Sequence, residues 1–208
     1  MILYIVFACL LSYLFGSLPF GLWIGLIWKK VDVRTLGSKN IGANNVLRVL
    51  GPGPAALSFA LDVLKGAAGV LLMRAYLPQA EFHWLVLVGL CAVIGHTFSV
   101  FLGFKGGKGI ATSLGLFLAL SWPVALTALG VWLVATAITR YVSLASLLAA
   151  FALPFASYFM LQPPERIWMV LITALLAVLV TVKHLPNIKR LLAGTEAKIG
   201  QKVDKDGN

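Results

Sequence analysis

Residues 82–104 read FHWLVLVGLCAVIGHTFSVFLGF, a mostly apolar run without Asp, Glu, Lys or Arg. A helix of roughly 17–25 such residues crosses the hydrocarbon layer of a membrane, so the run predicts a transmembrane helix. Six more apolar runs lie at residues 2–28, 54–77, 110–121, 123–139, 142–161 and 167–182. Together they predict an all-α, polytopic integral membrane protein with about seven transmembrane helices.

The composition supports this fold class. Hydrophobic residues make up 60% of the 208 residues and charged residues 12%, whereas soluble domains have roughly 45–50% and 25%. A soluble domain of this size could not hide so many apolar side chains. The run at 110–121 is shorter than the roughly 20 residues of a straight spanning helix, so it is expected to be extended by its flanks, buried by neighbours or re-entrant. Gly16 and Pro19 predict a break in the first run.

The basic residues predict the orientation. With seven spans, 14 of the 17 Lys and Arg residues fall on one side of the membrane. Only Arg74 and Arg166 fall on the other side, and Lys65 lies inside a span. Basic loops stay in the cytoplasm, so the N-terminus is expected outside and the C-terminus in the cytoplasm. This pattern explains the net charge of +10 better than nucleic-acid binding does, and no nucleic-acid partner is expected.

The first of three polar segments, residues 37–48, reads GSKNIGANNVLR. Its three asparagines, its serine and its two cations suit an anionic ligand rich in oxygen, because Arg can fork onto a phosphate and Asn both donates and accepts. The alternative is a turn followed by a capped helix, for which Ser and Asn are also favoured.

The second polar segment, residues 104–109, reads FKGGKG and directly precedes the short apolar run. Glycines let successive backbone N–H groups point at one oxyanion, and the N-terminus of a helix adds a favourable dipole. The spacing is not that of a Walker loop, which argues against an NTPase. The alternative is a flexible glycine hinge.

The third polar segment, residues 183–190, reads KHLPNIKR and follows the last apolar run. His184 lies where the chain leaves the membrane, and a histidine there could accept or donate a proton near neutral pH. The alternative is a polybasic tail that binds anionic lipids.

Polar residues also occur inside the spans. Asp62 and Lys65 share one helix face and are expected to pair, for a structural or a functional reason. His96 could contact a ligand or make a hydrogen bond between helices. Ser143 and Ser146 form a polar stripe at one end of the sixth run.

Several common chemistries have no motif in this sequence. It contains no Ser-His-Asp order, no H-E-x-x-H, no Cys/His metal cluster and no acidic pair in the polar segments. A hydrolase with its own nucleophile and a magnesium-dependent phosphotransferase are therefore not supported, and no metal or cofactor is expected. The polar residues suit the binding of anions, such as two phosphorylated substrates of which one carries a good leaving group.

Taken in order between these spans, the polar segments resemble the bacterial acyl-phosphate:glycerol-3-phosphate acyltransferase family, known as PlsY. The resemblance implies transfer of a fatty acyl group from acyl phosphate to the 1-hydroxyl of glycerol 3-phosphate. The products would be lysophosphatidic acid and inorganic phosphate, in the first step of bacterial phospholipid synthesis. The matching residues are Gly16, Ser17 and Pro19 to Gly21, together with residues 38–48, 61–66, 103–109, 140–146 and 184–190.

The resemblance also implies roles for individual residues. Glu196 matches an acidic position with a structural role. Asn44 stands where the family usually has threonine, which leaves its role open, and Lys39 stands where glycine is usual. The proton acceptor is either His184 or a substrate phosphate. The catalytic residues expected are Ser38, Arg48, Lys108, His184 and Asn187. The substrate-binding residues expected are Asn40, Asn44, Asn45, Lys105, Gly106, Gly107, Gly109, Ser143, Ser146 and Arg190.

The expected organisation is a single membrane-embedded acyltransferase domain at residues 1–203, with a disordered tail at residues 204–208. Acyl phosphate, glycerol 3-phosphate and membrane lipid are the expected partners of a monomer that could also contact other enzymes of phospholipid synthesis. The expected location is the bacterial cytoplasmic (inner) membrane, with the active site at the cytoplasmic face. The competing functions are a transporter or channel for a phosphorylated metabolite and a scaffold that binds anionic lipid.

Overall fold

The computed structural model describes residues 1–201, and every regular element in this range is helical. The α-helices are α1 (Ile2–Gly16), α2 (Phe20–Lys29), α3 (Ala43–Leu50), α4 (Pro52–Tyr76), α5 (Phe82–Thr97), α6 (Ile110–Leu120), α7 (Trp122–Thr139), α8 (Val142–Met160), α9 (Glu165–Lys183) and α10 (Leu185–Leu192). A short 3-10 turn, Val100–Leu102, follows α5. The predicted tail and the last two residues of the predicted domain lie outside the described range.

Six segments of the described chain are long and apolar enough to cross a membrane, and α6 is a seventh, shorter apolar helix. Their outward faces carry exposed apolar side chains such as Ile138 and Phe159, as expected for surfaces in contact with lipid. The predicted all-α, polytopic membrane fold is therefore confirmed. The six segments are Ile2–Lys29, Pro52–Tyr76, Phe82–Leu102, Trp122–Thr139, Val142–Met160 and Glu165–Lys183.

The short helix α6 is buried by its neighbours, which was one of the three expectations for it. It crosses α4 closely, because a Cβ added at Gly66 or at Gly115 would overlap a backbone carbonyl of the other helix. At about 1.5 Å per residue, its 11 residues reach only about 16 Å. Its last residue nevertheless meets the far end of α4, where the Arg74 guanidinium donates to the Leu120 carbonyl at 3.2 Å.

The first span is broken between α1 and α2, as predicted. The carbonyl groups freed by the break have protein partners. The Ser99 hydroxyl donates to the Ser17 carbonyl at 2.6 Å, and the Lys65 ammonium donates to the Leu18 carbonyl at 2.8 Å. Irregular backbone at this depth is tolerated because it is buried in protein rather than exposed to lipid.

The polar segments meet at one end of the bundle, called the loop end below. The backbone amide of Ile199 donates to the Arg140 carbonyl at 2.8 Å, which fastens the C-terminal segment beside the start of α8. The Lys108 ammonium donates to Asn187 at 2.6 Å, which joins the glycine loop to α10. Residues far apart in sequence are thereby brought to one site.

The N-terminus lies at the opposite end of the bundle. Helix α1 runs alongside α5 in the same direction, since Ser12 contacts Val88 and Gly16 packs against Ala92. Because α5 ends at the loop end, α1 begins away from it. The two described termini thus lie at opposite ends, as an alternation of seven spans requires.

Candidate active site

A cavity of about 210 Å³ opens at the loop end and runs into the bundle. Its mouth is polar and its interior is apolar, so its two ends suit different parts of an amphipathic ligand. The polar lining includes Ser38, Asn40, Asn44, Asn45, Lys108, Ser143, Ser146, His184 and Asn187. The apolar lining includes Leu114, Phe117, Ala125, Ala128, Leu129, Leu153 and Leu176.

A chain of hydrogen bonds fixes the cation at the mouth. The Lys108 ammonium donates to Asn187 Oδ1 at 2.6 Å, and Asn187 Nδ2 donates to Glu196 Oε1 at 2.7 Å. The Ser143 hydroxyl donates to the same carboxylate oxygen at 2.7 Å, and Arg190 Nε donates to the other oxygen at 2.6 Å. Because a carboxylate only accepts, Glu196 orients the Asn187 amide so that its oxygen faces Lys108.

The charges at the mouth perturb one another. Burial lowers the pKa of Lys108 to about 8, assisted by the charges of Arg190 and Arg48 and opposed by Glu196. Burial alone would raise the pKa of Glu196, but the hydrogen bonds from Asn187, Ser143 and Arg190 outweigh it, and the pKa lies below its usual range. Near neutral pH the mouth therefore holds a charged lysine and a charged carboxylate.

His184 faces the cavity as a neutral imidazole. Its Nδ1 lies 2.8 Å from the Val180 carbonyl oxygen, which can only accept, so Nδ1 carries the hydrogen and Nε2 is left as an acceptor. Burial, together with the charge of Lys108, lowers the pKa of His184 to about 4. The ring can thus accept a hydrogen bond at neutral pH but is a weak base.

Asn45 shapes the loop that presents the first polar segment. Its Nδ2 donates to the carbonyls of Val33 at 2.7 Å and Asn40 at 2.8 Å, with a longer bond to Leu36 at 3.2 Å. Its Oδ1 accepts from the Ser38 amide at 2.8 Å. The side chain is occupied by these backbone groups. Direct contact between Asn45 and a substrate stays a prediction.

The turn that the alternative interpretation predicted is present in this segment, but the Ser or Asn cap is not. A turn is followed by α3, which begins at Ala43 after Gly42. The same turn brings Ser38, Asn40 and Asn44 to the cavity. The polar side chains of this segment are therefore not used to cap α3, and these three line the cavity.

The glycine loop differs in detail from the expectation. The Gly106 and Gly107 amides donate to the carbonyls of Thr97 at 3.2 Å and His96 at 3.0 Å, so these two amides do not face an anion. Within the described chain, the amides of Lys108 and Gly109 have no acceptor. They lie at the N-terminus of α6 and remain available for a phosphate. A Cβ added at Gly107 would overlap the His96 ring, so the glycines here permit close packing.

Five of the predicted residues lie outside the lining of this cavity. Arg48 is half-buried, and its guanidinium donates to the Ala197 carbonyl at 3.3 Å. Arg190 reaches the site through Glu196. Lys105 and Gly106 line a separate cavity, and Gly107 packs against His96. The remaining ten predicted residues line the main cavity together.

Glu196 lies at the centre of the hydrogen bonds at the mouth, which was not expected. The family resemblance implied only a structural role for it. Its partners Ser143 and Asn187 precede it by 53 and 9 residues, so no local pattern marks the contact. Trp132, which was not predicted at all, lines the cavity and donates to the Ser146 hydroxyl at 3.2 Å.

The predicted pairing of Asp62 with Lys65 is confirmed. The two charged groups are 2.8 Å apart and almost fully buried. His96 Nδ1 lies 3.6 Å from Asp62 Oδ1, and both Asp62 and His96 line the cavity. The pair therefore lies beneath the glycine loop and adjoins the site.

Comparison with known proteins gives one consistent result. The family model described as glycerol-3-phosphate acyltransferase matches residues 6–194. A protein of that name from Synechococcus sp. (strain JA-2-3B'a(2-13)) is 50% identical over 195 residues, which cover 94% of each chain. Another from Mesorhizobium japonicum is 46% identical over 198 residues, covering 95% of this chain and 97% of that one.

Solved structures agree with the sequences. PlsY (YgiH), an integral membrane glycerol 3-phosphate acyltransferase, matches in its glycerol 3-phosphate form with a TM-score of 0.86 and 38% identity, over 95% of this chain and 96% of that one. Its lysophosphatidic acid form matches with a TM-score of 0.83 at the same identity and coverage. By sequence and by fold over nearly its whole length, this chain belongs to the glycerol-3-phosphate acyltransferase family.

Proposed function

We propose that this protein transfers a fatty acyl group from acyl phosphate to the 1-hydroxyl of glycerol 3-phosphate. The products are lysophosphatidic acid and inorganic phosphate. The observation that carries the proposal is a cavity that combines a cationic mouth with an apolar interior, in a chain of this family. The mouth suits phosphates and the interior suits an acyl chain.

Lys108 is the principal phosphate ligand in this proposal. Its ammonium is held by Asn187, and the free amides of Lys108 and Gly109 lie at the N-terminus of α6. Arg48 and Arg190 add positive charge nearby, opposed by Glu196. Backbone donors, a helix dipole and a fixed cation together stabilise a phosphate dianion.

The apolar interior receives the acyl chain. Phe117, Leu153 and Leu176 line it between helices whose outer faces are apolar. An acyl chain there keeps its hydrocarbon out of water, which stabilises the complex by about 0.8 kcal/mol per buried methylene. The acyl carbonyl then lies at the boundary with the polar mouth, within reach of a hydroxyl from the acceptor.

The reaction needs no covalent enzyme intermediate. The 1-hydroxyl oxygen of glycerol 3-phosphate bonds to the acyl carbonyl carbon, the bond from that carbon to the phosphate oxygen breaks, and phosphate leaves with the electron pair. The hydroxyl proton goes to a phosphate oxygen. A phosphate dianion, whose conjugate acid has a pKa of about 6, is a stronger base than His184, whose pKa is about 4. His184 then accepts a hydrogen bond and orients the acceptor.

The loop end is proposed to face the cytoplasm of a bacterium, in its cytoplasmic membrane. Within residues 1–201, 12 of the 15 Lys and Arg residues belong to the segments at that end, and basic loops stay in the cytoplasm. Glycerol 3-phosphate is water-soluble and would enter from there.

Phosphate release tests the function. Purified protein in lipid nanodiscs is given palmitoyl phosphate with and without glycerol 3-phosphate. Release that depends on the acceptor, and that is lost in Lys108→Met, supports the proposal. Folded protein that releases no phosphate, or that moves phosphorylated solutes across a vesicle membrane instead, contradicts it and favours a transporter.

A further inference from the structure

A second cavity, of about 400 Å³, lies beside the first at the loop end. It is open to solvent and lies between the loop after α2 and the glycine loop. Arg34, Lys39 and Lys105 contribute cationic side chains to its lining, and Asp32 contributes a carboxylate. Asn40 lines both cavities, so the two spaces adjoin at that residue.

The charges of this second cavity are not balanced. Asp32 is occupied by Arg34, whose Nε and NH2 donate to both carboxylate oxygens at 2.7–3.1 Å. In the part of the chain that the structure describes, neither Lys39 nor Lys105 has an acidic partner. Both lysines are exposed. Two ammonium groups therefore remain to attract an anion carrying two negative charges.

Asn40 provides a polar contact between the two cavities. Its Oδ1 accepts from the Gly42 amide at 2.9 Å, which fixes the orientation of the side chain. Its Nδ2 has no acceptor within the described residues and is available to donate. A ligand oxygen held by the lysines could exchange onto this group before it reaches Lys108.

We propose that the second cavity is a staging site that binds glycerol 3-phosphate before it passes Asn40 into the reaction cavity. The inference rests on the proposed function, since it names the route of that reaction's acceptor. The chemical group that this cavity would bind is a phosphate monoester dianion. An oppositely charged surface beside a site raises the rate of capture, and the effect weakens as salt screens it.

A phosphate monoester also occurs on a lipid product of the proposed reaction. The headgroup of lysophosphatidic acid is also a phosphate monoester, and Leu102, at the end of a membrane-spanning segment, lines this cavity. The soluble acceptor and the lipid headgroup are therefore the two sources that an experiment must separate.

The test compares Lys39→Gln/Lys105→Gln with Lys29→Gln/Lys189→Gln, a pair of exposed lysines outside both cavity linings. Turnover is measured in nanodiscs of neutral lipid at several salt concentrations.

Each ammonium near a charged ligand in water stabilises binding by about 1 kcal/mol, which corresponds to about fivefold in affinity. The first variant should raise the KM for glycerol 3-phosphate about 5- to 25-fold, leave the KM for acyl phosphate near wild type and reduce the salt dependence of kcat/KM. The control should match wild type.

Three results would contradict either the staging site or the proposed acyltransferase function. An unchanged KM for glycerol 3-phosphate with wild-type salt dependence removes the staging site while leaving the acyltransferase intact. An unchanged KM combined with lost inhibition by added lysophosphatidic acid assigns the cavity to a lipid headgroup instead. Absence of acceptor-dependent turnover in the wild type contradicts the proposed function itself.

Discussion

Raising the pH from 7 to 9 should remove the charge of Lys108 and with it most of the binding of phosphate at the mouth. The pKa of this lysine is about 8. Its ammonium is therefore about 90% populated at pH 7 and about 10% at pH 9. A substrate phosphate, with a second pKa of about 6, is already a dianion above pH 7 and adds little to the change. The expected fall in kcat/KM is about ninefold.

The assay is kcat/KM for glycerol 3-phosphate at half-unit steps of pH, because this parameter reports groups of the free enzyme. Spontaneous hydrolysis of acyl phosphate is subtracted at each pH. The matched variant is Lys108→Arg, whose guanidinium stays charged across the range. The kcat/KM of this variant should be lower than that of the wild type, because a planar guanidinium replaces the ammonium that donates to Asn187. Its kcat/KM should not change with pH over this range.

Two outcomes would show that Lys108 does not govern this pH dependence. A wild-type kcat/KM that stays constant between pH 7 and 9 would mean that the charge of Lys108 is not needed or is not perturbed. A fall of the same size in Lys108→Arg would assign the titration to another group or to the substrates.

Three further substitutions test individual contacts. Glu196→Gln should lower kcat/KM by roughly 10- to 100-fold, because the amide cannot accept from all three partners of the carboxylate. Each hydrogen bond to a charged group contributes about 1.5–3 kcal/mol. Activity within twofold of wild type would contradict this expectation. Gly107→Ala should lower both the melting temperature and kcat/KM, because its methyl group overlaps the His96 ring; melting curves matched to wild type would count against the packing. His184→Ala should lower kcat by less than about tenfold if a phosphate oxygen takes the proton, whereas a loss of about 10³-fold or more would make His184 the base.

The apolar runs predicted the helices well because hydrocarbon thickness leaves few alternatives. The run at 110–121 corresponds to α6, and the break expected at Gly16 and Pro19 separates α1 from α2. The outcome for α6 depended on neighbouring helices. Its burial follows from the crossing at Gly66 and Gly115, and a single segment does not reveal which glycine packs against which partner.

The residue types of the candidate site were predicted from the sequence, but the hydrogen bonds that join these residues were not. Residue types suited to phosphate marked Ser38, Lys108 and His184, and all three line the cavity. The central carboxylate of Glu196 gave no such signal, because its role depends on Ser143, far away in sequence. The glycine loop was also predicted to be one uniform set of backbone donors. The fold uses the amides of residues 106 and 107 for its own hydrogen bonds and leaves those of 108 and 109.

Acyl transfer to glycerol 3-phosphate is tested most directly by the identity and amounts of the reaction products. Protein in nanodiscs is given palmitoyl phosphate and glycerol 3-phosphate whose 1-hydroxyl carries oxygen-18, and the products are analysed by mass spectrometry. Direct acyl transfer should give one lysophosphatidic acid per phosphate released, with the label retained in the ester and absent from the phosphate. Phosphate released without lysophosphatidic acid, or label found in the phosphate, would contradict direct acyl transfer to that hydroxyl.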